Sequence, residues 1–175
     1  RGGKLLVCGN GGSAADADHI VGELMKGFFK KRPLAGKEIG RENPAVSGLK
    51  EEEIRRLQGT LPAIALTQHP ALSTAFLNDV NPYMVFAQQV YGYGRKGDTF
   101  LGISTSGNSE NVIHAARVAR AKGLHTIALT GPDGGKLRNC CEIAVCVPGS
   151  CTADIQERHL PVYHTLCAML EEKFF

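Results

Sequence analysis

The chain has 175 residues, a length that fits one domain with a sizeable core. Its hydrophobic fraction of 43% and charged fraction of 21% are typical of a soluble globular protein, and no apolar run approaches the roughly 20 residues that cross a bilayer, so no membrane partner is expected. The net charge of +3 is too small to indicate a nucleic-acid partner, although it is compatible with an anionic metabolite.

The cysteines indicate a reducing compartment. None of them forms a CxxC pair, and several fall in apolar runs, where cysteine behaves as a small hydrophobe. No signal peptide opens the sequence. We therefore predict a cytoplasmic protein whose cysteines form no zinc site; they are Cys8, Cys140, Cys141, Cys146, Cys151 and Cys167.

The first predicted unit is a strand at about residues 4–8, the glycine-rich turn Gly9–Ser13 and a helix from about Ser13 to Lys26. The glycines permit positive φ and a close approach of the backbone to a ligand. The turn is not a dinucleotide-binding fingerprint, because it lacks the third glycine at the required place.

Three polar residues of this helix, Asp16, His19 and Glu23, lie at positions i, i+3 and i+7 and therefore share one face. His19 and Glu23 are four residues apart, a spacing at which two side chains can hold one metal ion or one substrate. The alternative is an ordinary solvated polar face.

Residues 34–60 differ from their surroundings. Their first half is polar and rich in glycine and proline, which predicts a loop, and a short charged helix is predicted from about Leu49. The mixed charges indicate a solvated surface, and the alternative is a lid or a subunit contact.

Strands and helices then alternate. Because the connections are too long for hairpins, five strands separated by helices predict an α/β fold with a five-stranded parallel sheet covered on both faces. Pro161 should kink the last helix or mark its true start. The remaining predicted strands are Leu61–Thr67, Thr99–Ile103, His125–Thr130 and Ile143–Val147, and the remaining helices are Pro70–Leu77, Tyr83–Tyr93, Asn111–Gly123 and Asp154–Phe175.

The stretch Leu101–Ser109 joins the central strand to a helix through a short loop of hydroxyl residues and glycine. The first N–H groups of a helix lack partners and carry partial positive charge, so this geometry binds anions. The alternative is an ordinary loop in which Ser or Asn caps the helix. Four neutral donors favour a phosphate-type ligand instead; they are Ser104, Thr105, Ser106 and Ser109.

Ligands of such sheets bind beyond the carboxyl ends of the strands. We therefore expect three loops to converge there, namely those after the first and third strands and Gly131–Gly135. The Asn78–Asp79 turn joins them if its helix packs above the sheet edge. The last helix contributes Gln156 and His164, which are eight residues apart. Both could reach one ion only if Gln156 bends forward or the helix is distorted near Pro161.

Six sequence blocks together resemble the sugar isomerase (SIS) domain family and, within it, the phosphoheptose isomerases. The resemblance covers nearly the whole chain except about residues 34–60. It implies one SIS domain over residues 1–175, a flavodoxin-like three-layer sandwich with residues 34–60 as an insertion and with the family's N-terminal helix or helices absent. The blocks are Asn10–Ser13, His19 with Glu23, Asn78–Asp79, Gly102–Ser109, Leu129–Gly135, and Ile155–Glu157 with His164.

The resemblance also implies an activity and residue roles. It implies conversion of sedoheptulose 7-phosphate to D-glycero-D-manno-heptose 7-phosphate through an enediol, with Glu23 as base and His164 as acid. It implies one zinc ion per subunit, held by His19, Glu23, Gln156 and His164. The substrate-binding positions that it implies are Asn10, Gly11, Gly12, Glu23, Asn78, Asp79, Ser104, Thr105, Ser106, Ser109 and Gln156.

Other members of the family leave two alternatives open. One is a non-catalytic SIS protein that binds a phosphosugar or, like the DnaA initiator-associating protein, a protein partner; the presence of Glu23 and His164 argues against it. The other is a different SIS phosphosugar isomerase or lyase. The family further implies a homo-oligomer, a tetramer, whose active sites draw on neighbouring subunits.

Overall fold

The computed structural model describes residues 2–34 and 43–175, so residues 35–42 of the predicted insertion lie outside the described residues. Five strands form one sheet in the order β2-β1-β3-β4-β5, and every pair of neighbours is parallel. The predicted five-stranded parallel sheet is therefore confirmed. The strands are β1 (Leu5–Cys8), β2 (Ala63–Ala65), β3 (Thr99–Ser104), β4 (His125–Thr130) and β5 (Ile143–Cys146).

Helices connect these strands. The short helix α6 begins at the last residue of the predicted loop Gly131–Gly135. The charged segment after Leu49 forms a single helical turn, α2. The helices of the described residues are α1 (Gly12–Met25), α2 (Glu51–Ile54), α3 (Pro70–Asp79), α4 (Val85–Tyr93), α5 (Glu110–Ala121), α6 (Gly135–Arg138) and α7 (Thr152–Phe174). No helix in the described part of the chain is long and apolar enough to cross a membrane.

Helices cover both faces of the sheet, as predicted. Successive side chains of a strand point to opposite faces. Leu6 and Phe100 accordingly belong to a core with α4 and α5, whereas Val7 and Leu101 belong to a second core with α1 and α7. The two helices that carry the predicted acid and base therefore share one face of the sheet.

The strand order places a switch point between β1 and β3, because β2 and β3 lie on opposite sides of β1. Ligands of open α/β sheets bind at such points, beyond the carboxyl ends of the strands. The last residue of β1, Cys8, pairs with Gly102 of β3. Just beyond them, the side-chain amides of Asn10 and Asn111 exchange two hydrogen bonds of 2.9 Å and tie the loop after β1 to the first turn of α5.

The last helix runs without interruption through Pro161. Because α7 begins at Thr152, the alternative that Pro161 marks its start is wrong, and a kink at Pro161 stays a prediction. Proline removes the hydrogen bond to the carbonyl of Glu157. Both residues are exposed, so water can satisfy that carbonyl at little cost.

A buried ion pair fixes α7 to the chain that follows α1. The Glu171 carboxylate is 1% exposed and accepts hydrogen bonds from Arg32 Nε at 2.7 Å and from the backbone N–H groups of Phe28, Phe29 and Lys30 at 2.7 to 3.0 Å. Burial alone would raise the pKa of Glu171, but these donors together lower it to about 2.

The guanidinium of Arg32 is equally buried and bonds to the end of α1. Its Nη1 donates to the carbonyl of Leu24 at 2.8 Å, and its Nη2 donates to the carbonyl of Glu23 at 3.2 Å. These carbonyls are orphan acceptors at a helix C-terminus. The pair of Arg32 and Glu171 therefore sets the position of α1 relative to α7.

Candidate active site

A cavity of about 320 Å³ opens at the carboxyl ends of β1 and β3. It brings together seven of the predicted substrate-binding positions, and its other lining residues, Ser13, Ile103 and Thr152, were not among those positions. Thr152 is the first residue of α7, so its place depends on where that helix begins. The lining residues are Asn10, Gly11, Gly12, Ser13, Ile103, Ser104, Thr105, Ser109, Thr152 and Gln156.

The glycines after β1 allow α7 to approach this loop. Gly11 has a φ of 55°, a left-handed conformation that glycine adopts without strain. A Cβ placed on Gly12 would lie 2.4 Å from Nε2 of Gln156. The Gln156 amide therefore lies directly over the backbone of Gly12. Any larger residue at position 12 would displace the Gln156 side chain.

The loop after β3 presents hydroxyls to the cavity. Ser104 is 4% exposed, and its Oγ is 2.9 Å from Oγ of Ser109, the N-cap residue of α5. Because Ser109 makes no capping hydrogen bond through its side chain, its hydroxyl remains available to a ligand. Ser106 is exposed and does not line the cavity; its Oγ accepts a hydrogen bond from the N–H of Asn108 at 3.1 Å.

The loop Gly131–Gly135 supports the hydroxyl loop from behind rather than lining the cavity. The N–H of Gly131 donates to the carbonyl of Thr105 at 2.9 Å, and the N–H of Leu137 donates to the carbonyl of Gly107 at 2.9 Å. A Cβ on Gly107 would lie only 2.1 Å from the carbonyl oxygen of Gly134. The loop Gly131–Gly135 therefore does lie beside the loop after β3, as predicted, but it supports that loop and does not contact the cavity.

Three predicted catalytic or metal-binding side chains meet between α1 and α7. Nε2 of His19 lies 3.2 Å from Oε1 of Glu23 and 3.4 Å from Nε2 of His164. The Glu23 side chain is 12% exposed and also pairs with Lys26, whose Nζ is 3.4 Å from Oε2. We call His19, Glu23 and His164 the acid–base cluster; the structure brings them together, and their roles stay predictions.

The side chains of the acid–base cluster and Gln156 can be compared with the ligands that zinc requires. Within residues 2–34 and 43–175, no group of three or more His, Cys, Asp or Glu side chains is arranged as a metal site. The distances around His19 nonetheless match those of paired ligands, because two imidazole nitrogens on one tetrahedral zinc ion lie about 3.4 Å apart. Gln156 has its amide over Gly12, in the cavity. The donor types and the two distances at His19 suit zinc, and the four-residue site stays a prediction.

A buried layer of polar side chains lies behind His19. The Tyr163 hydroxyl is 3.1 Å from Nδ1 of His19 and 3.2 Å from Oδ1 of Asp16. Tyr163 is 2% exposed, and burial raises its pKa as well as that of Asp16. His159 is fully buried in the same region, and desolvation lowers its pKa. The sequence pattern carried no signal for Tyr163, whose position matches a core residue.

Asn78 and Asp79 lie apart from the cavity lining. They form the exposed end of α3, where Nδ2 of Asn78 donates to Oδ1 of Asp79 at 2.8 Å. Their predicted contact with substrate stays a prediction.

Comparisons with known proteins show which family the chain resembles. A family model of the SIS domain matches residues 54–131. A phosphoheptose isomerase of a Nitratiruptor species is 42% identical over 171 residues, which are 98% of this chain and 78% of the relative. A phosphoheptose isomerase of a Roseiflexus species is 43% identical over 175 residues, 100% of this chain and 76% of the relative.

The fold also matches solved structures. The structure of a phosphoheptose isomerase from Francisella tularensis superposes with a TM-score of 0.78 at 36% identity, covering 98% of this chain and 78% of that one.

Proposed function

The chain belongs to the phosphoheptose isomerase family of SIS-domain proteins, and we propose that it interconverts sedoheptulose 7-phosphate and D-glycero-D-manno-heptose 7-phosphate. One observation carries the proposal: α1 and α7 both begin at the hydroxyl-lined cavity and converge further along at the acid–base cluster. From Gly12 to His19 the rise along α1 is about 10 Å, a separation that suits a phosphosugar lying with its phosphate at one end.

The hydroxyl end of the site would hold the phosphate. Ser104, Thr105 and Ser109 offer neutral O–H donors, and the N-terminus of α5 adds backbone N–H groups with partial positive charge. Ser106 lies on the same loop but does not line the cavity, so its contact with the phosphate stays a prediction. Such donors hold a phosphate without a cationic side chain, so this end would position the substrate and take no part in the proton transfers.

The acid–base cluster would carry out the isomerisation. An aldose and its ketose have the same atoms and differ by the shift of one proton between C1 and C2 and of another between their oxygens. Glu23 would take the proton from one carbon and return it to the other. His164 would donate a proton to one oxygen and accept one from its neighbour, and the intermediate between these steps is an enediol.

We propose zinc as the cofactor, held by His19, Glu23, Gln156 and His164. When bound, the ion polarises the substrate carbonyl and stabilises the negative charge that develops on it. The support for the ion is the pair of distances at His19, 3.2 Å to Glu23 and 3.4 Å to His164. Its occupancy is measured by metal analysis of the purified protein.

We also propose a homotetramer whose active sites use residues of neighbouring subunits. Helices α3 and α7 expose large apolar side chains that a single chain leaves in water, and such patches mark interfaces. Asn78 and Asp79 lie at the end of α3, where they can contact a neighbour's substrate. Light scattering gives the mass directly. The exposed side chains include Leu72, Leu77, Leu160, Leu166 and Met169.

A cytoplasmic location is proposed on the basis of the thiols. All six cysteines are free, including the adjacent Cys140 and Cys141. Free thiols are typical of a reducing compartment.

The test of the activity is incubation with sedoheptulose 7-phosphate, with zinc and with a chelator, while aldose formation is followed. We expect turnover by the wild type, and a loss of about 100-fold or more in kcat for Glu23→Gln, which removes the base but keeps the shape. The matched control is Glu52→Gln on the exposed helix α2.

Full activity of Glu23→Gln would exclude its role as base. If the wild type bound the substrate without converting it, the proposal would fail and the non-catalytic binding function would replace it. Conversion of another phosphosugar in its place would identify a different SIS isomerase.

A further inference from the structure

We propose that a second surface cavity binds a small phosphate monoester between two arginines of α5. The cavity has a volume of about 400 Å³ and lies where the C-terminal half of α5 meets the loop after α6. It shares no lining residue with the candidate active site, so the ligand concerned is additional to the substrate. The lining residues are Arg117, Arg120, Ala121, Asn139 and Cys140.

The first observation is the charge on the α5 side of this cavity. Arg117 and Arg120 are three residues apart, so their side chains lie on one face of the helix, where like charges repel each other. No Asp or Glu occupies a position three or four residues from either arginine. Within residues 2–34 and 43–175, neither guanidinium makes an ion pair or a hydrogen bond. The helix therefore presents two adjacent positive charges that no carboxylate of the described chain contacts.

The second observation is that the opposite wall is neutral. Asn139 is the C-cap residue of α6, and its side-chain amide offers two N–H donors. Cys140 is half-buried and carries a free thiol. Glu142 follows closely in the chain, but its carboxylate lies 3.3 Å from Nδ1 of His125 and does not line the cavity. The described lining thus supplies donors and positive charge without an acidic group to repel an anion.

The chemistry of this lining matches a phosphate monoester. A guanidinium binds phosphate oxygens through two parallel N–H groups, and two guanidiniums balance the charge of nearly −2 that a phosphate monoester carries at neutral pH. A volume of about 400 Å³ lies within the range of small-molecule sites, which leaves room for the organic group beside the phosphate. The hydroxyl loop Ser104–Ser109 offers only neutral side-chain donors, so the two sites would hold the same group by different means.

The Cys140 thiol provides a readout that needs no turnover. The probe is glycerol 3-phosphate, and the measured quantity is the rate at which an uncharged maleimide alkylates Cys140, with peptide fragmentation to distinguish it from Cys141. We expect the probe to slow alkylation of the wild type saturably, because it would fill the cavity that this thiol lines. Each variant is compared with itself without the probe, which removes any effect of the substitution on the thiol.

The decisive variant combines Arg117→Gln with Arg120→Gln, which removes both charges and keeps polar side chains. The half-saturating concentration of the probe should rise about 10-fold or more, because hydrogen bonds to a charged group are lost. The matched control combines Arg95→Gln with Lys96→Gln, which removes two exposed charges before β3 and should leave the protection unchanged. Ser104→Ala should also leave it unchanged, because this cavity does not include the hydroxyl loop.

Three outcomes would overturn the proposal. One is the absence of saturable protection in the wild type, and another is equal protection in the double arginine variant. The third is a loss of protection in Ser104→Ala, which would place the probe at the hydroxyl loop. Protection by succinate without protection by glycerol 3-phosphate would also contradict the ligand class, since it would identify a dicarboxylate site.

Discussion

The two ends of the site are built in opposite ways. At the proposed phosphate end (the hydroxyl loop), Ser104 and Ser109 are five residues apart and their hydroxyls lie 2.9 Å from each other. At the proposed reaction end (the acid–base cluster), His19 and His164 are 145 residues apart and meet only because α1 packs against α7. The first end is a property of local backbone, and the second is a property of tertiary packing.

Because of this difference, we expect different mutations to impair each end. In the proposed function several equivalent donors would share the phosphate, so removal of one would leave the others in place. The acid–base cluster would have one side chain for each role, and its geometry depends on distant contacts such as the pair of Arg32 and Glu171. Mutations should therefore affect binding or turnover selectively, and four predictions test this separation.

The largest effect is expected at the reaction end. His164→Gln keeps a polar side chain but cannot exchange protons near neutral pH, so kcat should fall by about 10²–10⁴-fold. Inhibition by inorganic phosphate should remain within 2-fold of the wild type, because the hydroxyl loop is untouched. The control is His125→Gln at the start of β4, where the ring is exposed. A parallel loss of phosphate inhibition would show that the two ends are not separable.

The next effect concerns the packing that holds the reaction end together. Glu171→Gln leaves the buried guanidinium of Arg32 without its counter-charge, which should lower the free energy of unfolding by about 3–5 kcal/mol. The neighbouring Glu172→Gln is the matched control, since it breaks a pair with Lys30 at the surface and should cost no more than about 1 kcal/mol. Denaturant unfolding measures both, and equal costs would contradict the role given to the buried pair.

The same pair predicts how stability depends on pH. The pKa of Glu171 is lowered to about 2 in the folded chain from an ordinary value of 4.5. Folding therefore favours the ionised carboxylate, and this stabilisation is fully present above about pH 4.5 and is lost as the pH falls towards 2. The difference in unfolding free energy between wild type and Glu171→Gln should shrink over that interval. A difference that stays constant from pH 5 to pH 2 would contradict it.

The sequence predicted the hydroxyl loop and its flanking elements better than the packing behind the acid–base cluster. The order strand, hydroxyl loop and helix is written in consecutive residues, so periodicity and turn chemistry were enough to predict β3, Ser104–Ser109 and α5. The alternation of strands and helices likewise predicted the sheet. Both depend on local preferences that act over fewer than 20 residues.

The parts that the sequence did not predict all depend on tertiary contacts. Arg32 and Glu171 look like ordinary surface charges until folding buries both, and Tyr163 looks like a core aromatic until its hydroxyl meets Asp16 and His19. The sequence left open whether Pro161 kinks the last helix or marks its start, and the structure excludes only the second alternative, because α7 begins at Thr152.

The smallest effect is expected at the phosphate end. Ser104→Ala removes one hydroxyl of the cavity and the partner of Ser109, and a hydrogen bond to a charged group contributes about 1.5–3 kcal/mol. Because Thr105, Ser109 and the N-terminus of α5 remain, the lower value applies. KM should therefore rise about 10-fold, inhibition by inorganic phosphate should weaken about 10-fold, and kcat should stay within 3-fold of the wild type. The control is Ser47→Ala, an exposed serine outside the cavity. A large fall in kcat with KM unchanged would place Ser104 in the chemistry rather than in binding, and would show that the reaction end extends into the hydroxyl loop.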